Sequence, residues 1–195
     1  MDNNYVFQYW EAIENGAVTV GKWIRTIYKI LVDGLKSGKW DFDGDKANKA
    51  INFIENFCHH SEGRNDLLKL ELWQKAIVSA IFGIMDKKTG YRQFREVFIV
   101  VARKNGKTLF AAAIAAYMTY IDGEYGAKVY FLAPKLDQAD LVYDAFYQIV
   151  QADDELESIT KKRRSDIYIK EFNTSVKKIA FNSKKSDGFN PQMVV

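Results

Sequence analysis

The sequence predicts an α/β protein in which a mostly parallel β-sheet is flanked by helices and preceded by an N-terminal helical region. Up to about residue 82, apolar side chains recur at the spacing of amphipathic helices. After residue 95, short runs of β-branched and aromatic residues alternate with helical segments. Strands that alternate with helices form parallel sheets, because each helix carries the chain back to the end of the sheet where the previous strand began.

Composition sets broad limits on function. The 195 residues are 48% hydrophobic, which is enough for a core, and the formal net charge of +3 favours neither a nucleic-acid binder nor a membrane-surface protein. A single cysteine excludes an internal disulfide framework, and the N-terminus has no basic leader or signal-like apolar run, so we expect a cytoplasmic protein. The most apolar stretch, 109–121, is shorter than the ~20 residues that cross a bilayer and predicts a buried helix. We therefore expect no membrane partner.

Four amphipathic helices are predicted in the first part of the chain, at residues 5–14, 18–35, 47–59 and 67–82. In the second of these helices the apolar side contains Trp23, Ile27, Ile30, Leu31 and Leu35. Segments rich in polar and small residues predict loops or turns at 36–46 and 85–93. We expect residues 1–65 to form the helical region and residues 66–195 to form a second domain.

Strands and helices alternate in the second domain. Residues 96–102 (EVFIVVA) predict a strand buried on both faces, and residues 108–120 predict a helix after it. A second strand and helix are predicted at 127–134 and 137–151. Two of the later strands alternate enough to lie near a sheet edge or to pair as a hairpin. The last three predicted strands are DIYIKEF, VKKIAF and MVV, at 166–172, 176–181 and 193–195.

The triplet Gly106-Lys107-Thr108 lies between the first predicted strand and its helix, which is the context of a phosphate-binding loop. Gly106 permits close approach of the backbone, Lys107 would neutralise the β- and γ-phosphates, and the Thr108 hydroxyl would ligate the Mg²⁺ that bridges them. The triplet alone occurs by chance in roughly one chain in ten of this length, so the flanking strand and helix carry the prediction. The alternative is a plain turn in which Gly106 supplies a bend, Thr108 caps the helix and Lys107 is solvated.

The loop departs from the usual phosphate-binding pattern at two positions. Val101 stands where the first glycine is expected, and Arg103 lies four residues before Lys107. With these features the segment ARKNGKT resembles the deviant phosphate loop of large terminase subunits, the motors that package DNA into tailed-phage capsids. The resemblance implies a P-loop NTPase (RecA/ASCE-like) fold, with ATP and Mg²⁺ as cofactors. It implies a nucleotide-binding loop of Ala102, Arg103, Lys104, Asn105, Gly106, Lys107 and Thr108.

The resemblance extends to both sides of the loop. Residues 53–83 are similar to the family's segment ahead of the loop, in which a Trp-Gln pair heads a helix; here the pair is Trp73-Gln74. The family implies that Gln74 recognises the adenine edge, because its amide donates and accepts at once, and that Trp73 or its neighbours pack near the base. The alternative is a helix with a core tryptophan beside an exposed glutamine. Residues 129–146 and 184–195 resemble the segments that follow, so the match spans about 53–195.

The resemblance also suggests catalytic roles for Arg103 and Lys107. A guanidinium held against the γ-phosphoryl group in cis resembles an arginine finger, which accelerates related enzymes by about 10³ to 10⁵. Lys104 would stabilise the γ-phosphoryl charge less well, because the planar guanidinium group of arginine matches phosphate geometry and the ammonium group of lysine, a point charge, does not. The alternative for Arg103 is an ion pair within the loop.

The family places an acidic pair, which binds Mg²⁺ and orients water, a few residues beyond Val195. We therefore expect residues 66–195 to be incomplete at the C-terminus, without the Walker B acidic pair or the nuclease domain, and to bind ATP better than they hydrolyse it. The family also implies double-stranded DNA, a portal protein and a small terminase subunit as partners, a homo-oligomeric ring, and assembly of virions in the bacterial host cytoplasm. Two other functions stay open: a helicase-like P-loop ATPase, and a non-catalytic terminase remnant that acts through protein contacts.

Residues 159–185 contain nine basic and two acidic residues, including KKRR at 161–164. This segment either contacts DNA phosphates or forms a solvated loop and hairpin. Because no aromatic residues are interleaved with KKRR, the sequence favours the solvated interpretation.

Overall fold

The structure is a computed structural model and describes residues 4–60, 63–181 and 191–195, which contain seven helices and seven strands. The chain divides into two compact units. The first unit consists of Met1–Phe53 and Lys69–Val100, and the second of Ile54–Leu68 and Val101–Val195. The division into 1–65 and 66–195 stays a prediction.

The first unit is mainly helical. Its helices are α1 (Tyr5–Glu14), α2 (Lys22–Lys36), α3 (Gly44–Phe57, whose last turn belongs to the second unit) and α4 (Leu72–Gly83). The first helix has the predicted bounds. The last begins five residues later than predicted, at 72 rather than 67, because Leu67 pairs with His59 in an antiparallel bridge instead of joining the helix.

Two short strands in this unit lie in, or overlap, segments that were predicted to be loops or turns. Strands β1 (Trp40–Phe42) and β2 (Ile84–Asp86) pair antiparallel. Three residues are too few for the alternating pattern that predicts a strand. Gly83 precedes β2 because a side chain does not fit there: an added Cβ would lie 2.7 Å from the Phe42 ring and 2.9 Å from the Ala47 methyl group.

Helix α2 buries only part of its predicted apolar side. Tyr28, Leu31 and Val32 belong to the core of the first unit, where Tyr28 packs edge to face against Tyr9 of α1. The adjacent side of α2 is exposed among the described residues, because the helix contacts α1 through the side that contains Tyr28. The exposed fractions there are 74% for Trp23, 50% for Ile27 and 55% for Ile30.

The second unit is built on a five-stranded sheet. Its strands are β3 (Lys128–Ala133), β4 (Thr160–Lys162), β5 (Ile167–Ile169), β6 (Thr174–Ala180) and β7 (Met193–Val194). Their order is β4-β5-β6-β3-β7, with β3 parallel to both of its neighbours and the other pairs antiparallel. The predicted pairing of β5 with β6 is confirmed. Strand β4 lies outside the predicted strands.

Three helices complete the second unit: α5 (Lys107–Tyr120), α6 (Leu136–Ala152) and α7 (Asp154–Ser158). Helix α6 packs on β3 and β6, and α5 packs on α6. Beyond its first turn α5 is buried almost all round, as predicted for residues 109–121, since its alanines allow close approach of neighbouring elements. Among the described residues no helix has the length and apolarity needed to span a bilayer.

The predicted strand at 96–102 is wrong. These residues form no strand, and Phe98 and Val100 are 93% and 79% exposed. An apolar, β-branched run becomes a buried strand only when at least one neighbouring strand pairs with its backbone N–H and C=O groups. Among the described residues the sheet ends at β7, and no strand pairs with 96–102. Of the two elements that were expected to flank the phosphate loop, the helix after it is therefore present and the strand before it is not.

Candidate functional site

The loop that precedes α5 has an unusual backbone. Lys104 and Gly106 both have φ of 66°, whereas Asn105 between them has no positive φ. Alternation between left-handed and right-handed backbone turns successive N–H groups toward one side and forms a concave anion-binding surface. Positive φ is uncommon for a residue with a side chain, so Lys104 requires local support.

Asn105 supplies this support. Its Nδ2 donates hydrogen bonds to the carbonyl oxygens of Ala102 and Arg103, both at 3.2 Å. The two bonds close the loop on itself and hold the chain on either side of Lys104. Sequence reasoning assigned Asn105 only to the nucleotide-binding loop as a whole. The tendency of asparagine to bond nearby backbone groups in turns is the signal that identifies this structural role.

Helix α5 begins directly after the loop with its N-terminus uncapped. Gly106 is the N-cap residue, and no side chain accepts a hydrogen bond from the first amides. The first N–H groups of a helix lack intrahelical acceptors, and together with the helix dipole they favour an anion. A Cβ added to Gly106 would meet no heavy atom of more distant described residues within 4 Å, so no other part of the described chain crowds this residue. These residues fit a bound phosphate group.

Three cations surround this N-terminus. Arg103, Lys104 and Lys107 are exposed, and none of them has an ion pair with a residue that the structure describes. Thr108 is half-buried in the first turn of α5. The structure therefore brings the seven predicted residues from Ala102 to Thr108 into one exposed, positively charged turn. Which of them contact a nucleotide stays a prediction.

Trp73 and Gln74 lie in the first turn of α4, in the first unit. Gln74 is 7% exposed, and its Oε1 accepts a hydrogen bond of 2.9 Å from the backbone N–H of Glu71, an arrangement typical of a capping box. Trp73 is half-buried and packs against the core of the first unit. Gln74 therefore has a structural role that sequence reasoning missed, although the local spacing Glu71-x-x-Gln74 indicates it. The contact of this pair with adenine stays a prediction.

Comparison with known proteins identifies the family. The family model described as the ATPase domain of the terminase large subunit matches residues 72–195. This chain belongs to that family. The matched range contains both the loop and the pair Trp73-Gln74 and starts later than residue 53, where the resemblance was predicted to begin. The predicted resemblance to large terminase subunits is thereby confirmed.

A solved structure shows the fold of this terminase ATPase domain. The crystal structure of the HK97 bacteriophage large terminase is 24% identical to this chain, with a TM-score of 0.65. The match covers 76% of this chain but only 30% of that chain. The predicted fold class, a sheet flanked by helices as in P-loop ATPases, is confirmed, with two parallel and two antiparallel strand pairs among the described residues where a mostly parallel sheet was predicted. A search of curated proteins finds no match.

Proposed function

We propose that this chain binds ATP with Mg²⁺ at residues 102–108 and forms the ATPase part of a motor that packages viral DNA. The observation that carries the proposal is the open, uncapped N-terminus of α5 within a turn that holds Arg103, Lys104 and Lys107. Membership in a family of ATPase domains makes a triphosphate the anion that this turn fits best.

Each group in the turn has a distinct role in this proposal. The amides of the loop and of α5 bind phosphate oxygens, and Lys107 neutralises the β- and γ-phosphates as a point charge. Arg103 presents its planar guanidinium to the γ-phosphate, where it stabilises charge that develops during phosphoryl transfer. The Thr108 hydroxyl would ligate the Mg²⁺ that bridges the β- and γ-phosphates, so we expect Mg²⁺ to bind together with ATP.

Titration of the 195-residue chain with Mg-ATP tests the proposal. At a concentration about 100 times Kd, binding adds about 2.7 kcal/mol to the free energy of unfolding. For a chain of this size that gain raises Tm by roughly 5–10 °C. A heat of binding by calorimetry and a rise in Tm support the proposal. Absence of both at millimolar Mg-ATP overturns it and favours a module that acts through protein contacts.

Replacement of Thr108 tests the metal contact. Thr108→Val keeps the shape of the side chain but removes the hydroxyl, whereas Thr108→Ser keeps the hydroxyl. We expect the valine variant to lose most of the gain in affinity that Mg²⁺ gives the wild type over EDTA, and the serine variant to retain it. Calorimetry in the two buffers measures this difference. A valine variant that keeps the full wild-type gain excludes Thr108 as a ligand.

We also propose that Gln74 recognises adenine, with Trp73 packed near the base, and a pair of variants separates this role from helix capping. Gln74→Ala and Glu71→Ala each break the capping pair, so both should lower the free energy of unfolding by about 0.5–1 kcal/mol. Only Gln74→Ala removes the amide, so only this variant should lose preference for ATP over GTP, by about tenfold or ~1.4 kcal/mol. Equal preferences in the two variants would contradict the adenine contact.

The partners follow from the packaging role. We propose that the complete protein acts on double-stranded DNA, contacts a portal protein and a small terminase subunit, and assembles as a homo-oligomeric ring in the bacterial host cytoplasm. The family match supports this role over that of a helicase-like ATPase.

A further inference from the structure

A row of side chains crosses four strands of the sheet in the second unit. The strand register pairs Lys161 of β4 with Tyr168 of β5, Tyr168 with Ser175 of β6, and Ser175 with Lys128 of β3. Directly paired residues project from the same face of a sheet, so these four side chains form one row. Because neighbouring strands lie about 4.8 Å apart, the row is about 14 Å long.

This row lies on the face of the sheet that points away from α6. Lys178 of β6 contacts Asp140 and Tyr143 of α6, so Lys178 projects toward the helix. Successive residues of a strand project to opposite faces, and Ser175 is three positions from Lys178, so it projects away from α6. Arg163 and Lys170 line the same shallow concavity as Lys161 and Tyr168. We call this surface the basic face and define it by Lys128, Lys161, Arg163, Tyr168 and Lys170.

The positive charge of the basic face is largely uncompensated. Its four cations are exposed, whereas the carboxylate of the hairpin, Asp166, is 6% exposed and lies 4.0 Å from Arg163. Helix α7 precedes β4 and is acidic, yet within the described ranges no carboxylate forms an ion pair with the other three cations of the face. Lys128, Lys161 and Lys170 therefore direct their charge to solvent.

Aromatic rings hold the basic side chains of the hairpin in place. The Arg163 guanidinium lies 3.3 Å from the centroid of the Tyr168 ring, and this contact reduces the side-chain freedom that binding of an anion would remove. Lys162 projects to the other face of the sheet, where its Nζ lies 4.0 Å from the centroid of the Tyr147 ring of α6. The sequence shows no aromatic residue within KKRR, because the two rings come from β5 and α6. Arg163 lies over the ring of Tyr168, which makes that ring a poor platform for stacking of an unpaired base.

We propose that the basic face binds the phosphate backbone of double-stranded DNA. The inference rests on the proposed role in DNA packaging and assigns a surface to it. A duplex carries one negative charge per about 1.7 Å with both strands counted, so a 14 Å length of duplex carries about eight phosphates, of which those on the near side face the row. Protein interfaces usually have apolar anchors, but none of the large exposed apolar side chains that the structure describes lies in the strands β3, β4, β5 and β6 that form the basic face. Lysine and arginine contacts to phosphates carry no sequence information, which suits a motor that moves along DNA.

Binding of a fluorescent duplex of about 30 base pairs, measured by anisotropy at several salt concentrations, tests the proposal. With four cations at phosphates, log Kd should change with log salt concentration with a slope of about 3–4. The double variant Lys161→Gln/Lys170→Gln should reduce that slope by about 2 and weaken binding at low salt by about 10- to 100-fold. A single strand of the same length should bind more weakly than the duplex.

The matched control is Lys36→Gln/Lys88→Gln, which removes the same charge from two exposed lysines of the first unit. It should keep the wild-type slope. The proposal is overturned if both double variants lose the same DNA affinity, or if Lys161→Gln/Lys170→Gln binds the duplex as the wild type does. A preference for the single strand over the duplex would overturn it as well. Lys161→Gln/Lys170→Gln should keep the wild-type Tm and Mg-ATP affinity, and Lys107→Ala should keep the wild-type DNA affinity. Failure of the basic face is therefore distinguishable from failure of the ATP site.

Discussion

Replacing Phe146 by alanine is expected to lower the free energy of unfolding of the second unit by about 3–5 kcal/mol. Phe146 is fully buried on α6; its ring stacks on Tyr120 of α5, with centroids 6.3 Å apart, and lies 5.9 Å from the ring of Phe131 on β3. The side chain thus joins two helices and an interior strand of the sheet, and the two neighbouring rings are held by their own elements and cannot fill the space. Because domains are stable by only about 5–15 kcal/mol, this loss is a large fraction of the total.

Leu141→Ala on the same helix is the matched control. Leu141 is 64% exposed, so its loss should change the free energy of unfolding by no more than about 0.5 kcal/mol. Chemical denaturation measures both variants, and alkylation of Cys58 follows opening of the second unit. Cys58 is the single cysteine and fully buried, and burial raises the pKa of its thiol to about 12, so the folded protein should react slowly. If Phe146→Ala and Leu141→Ala lower the free energy of unfolding by similar amounts, the assignment of Phe146 to the core is contradicted.

The sequence predicted well those helices and strands whose own residue pattern is enough to identify them. Helix α1 has a complete apolar period and an N-cap asparagine, Asn4, and its bounds agree with the prediction. Strand β3 is apolar along most of its length and also lies where it was predicted. Strands β1 and β2 were missed because three residues carry no period, and 96–102 was wrongly predicted because composition does not show whether partner strands are present.

Functional residues were likewise predictable where they belong to a local feature of the chain, and not where they depend on elements distant in sequence. The loop from Ala102 to Thr108 is a local feature, and its turn and helix start were predictable from glycine and its neighbours. The support of Lys104 by Asn105 is also local and had a recognisable signal. For the basic face the sequence showed only the excess of basic residues at 159–185 and not their arrangement, because Tyr168 meets Arg163 only through the register of β4 and β5, which depends on packing of the whole sheet.

Replacing Lys107 by alanine is expected to weaken ATP binding by about 10- to 100-fold, or about 1.4–2.8 kcal/mol. Lys107 is the first residue of α5, exposed, and without an ion pair among the described residues, so its charge is available to a phosphate. The amides and dipole of α5 remain in the variant, and binding should therefore be weakened rather than abolished. Alanine is the best helix former, so the helix itself should lose no stability. Calorimetric titration with Mg-ATP measures the change.

Lys128→Ala provides the control, since it removes an equal charge from an exposed lysine at the amino end of β3. Ligands of parallel α/β sheets bind at the carboxyl ends of the strands, so this variant should bind ATP as the wild type does. Raising the salt concentration should narrow the difference between the two variants, because a contact between an exposed lysine and phosphate is screened. If Lys107→Ala binds ATP with unchanged affinity, the N-terminus of α5 is not the triphosphate site, and the family's activity must depend on a different surface.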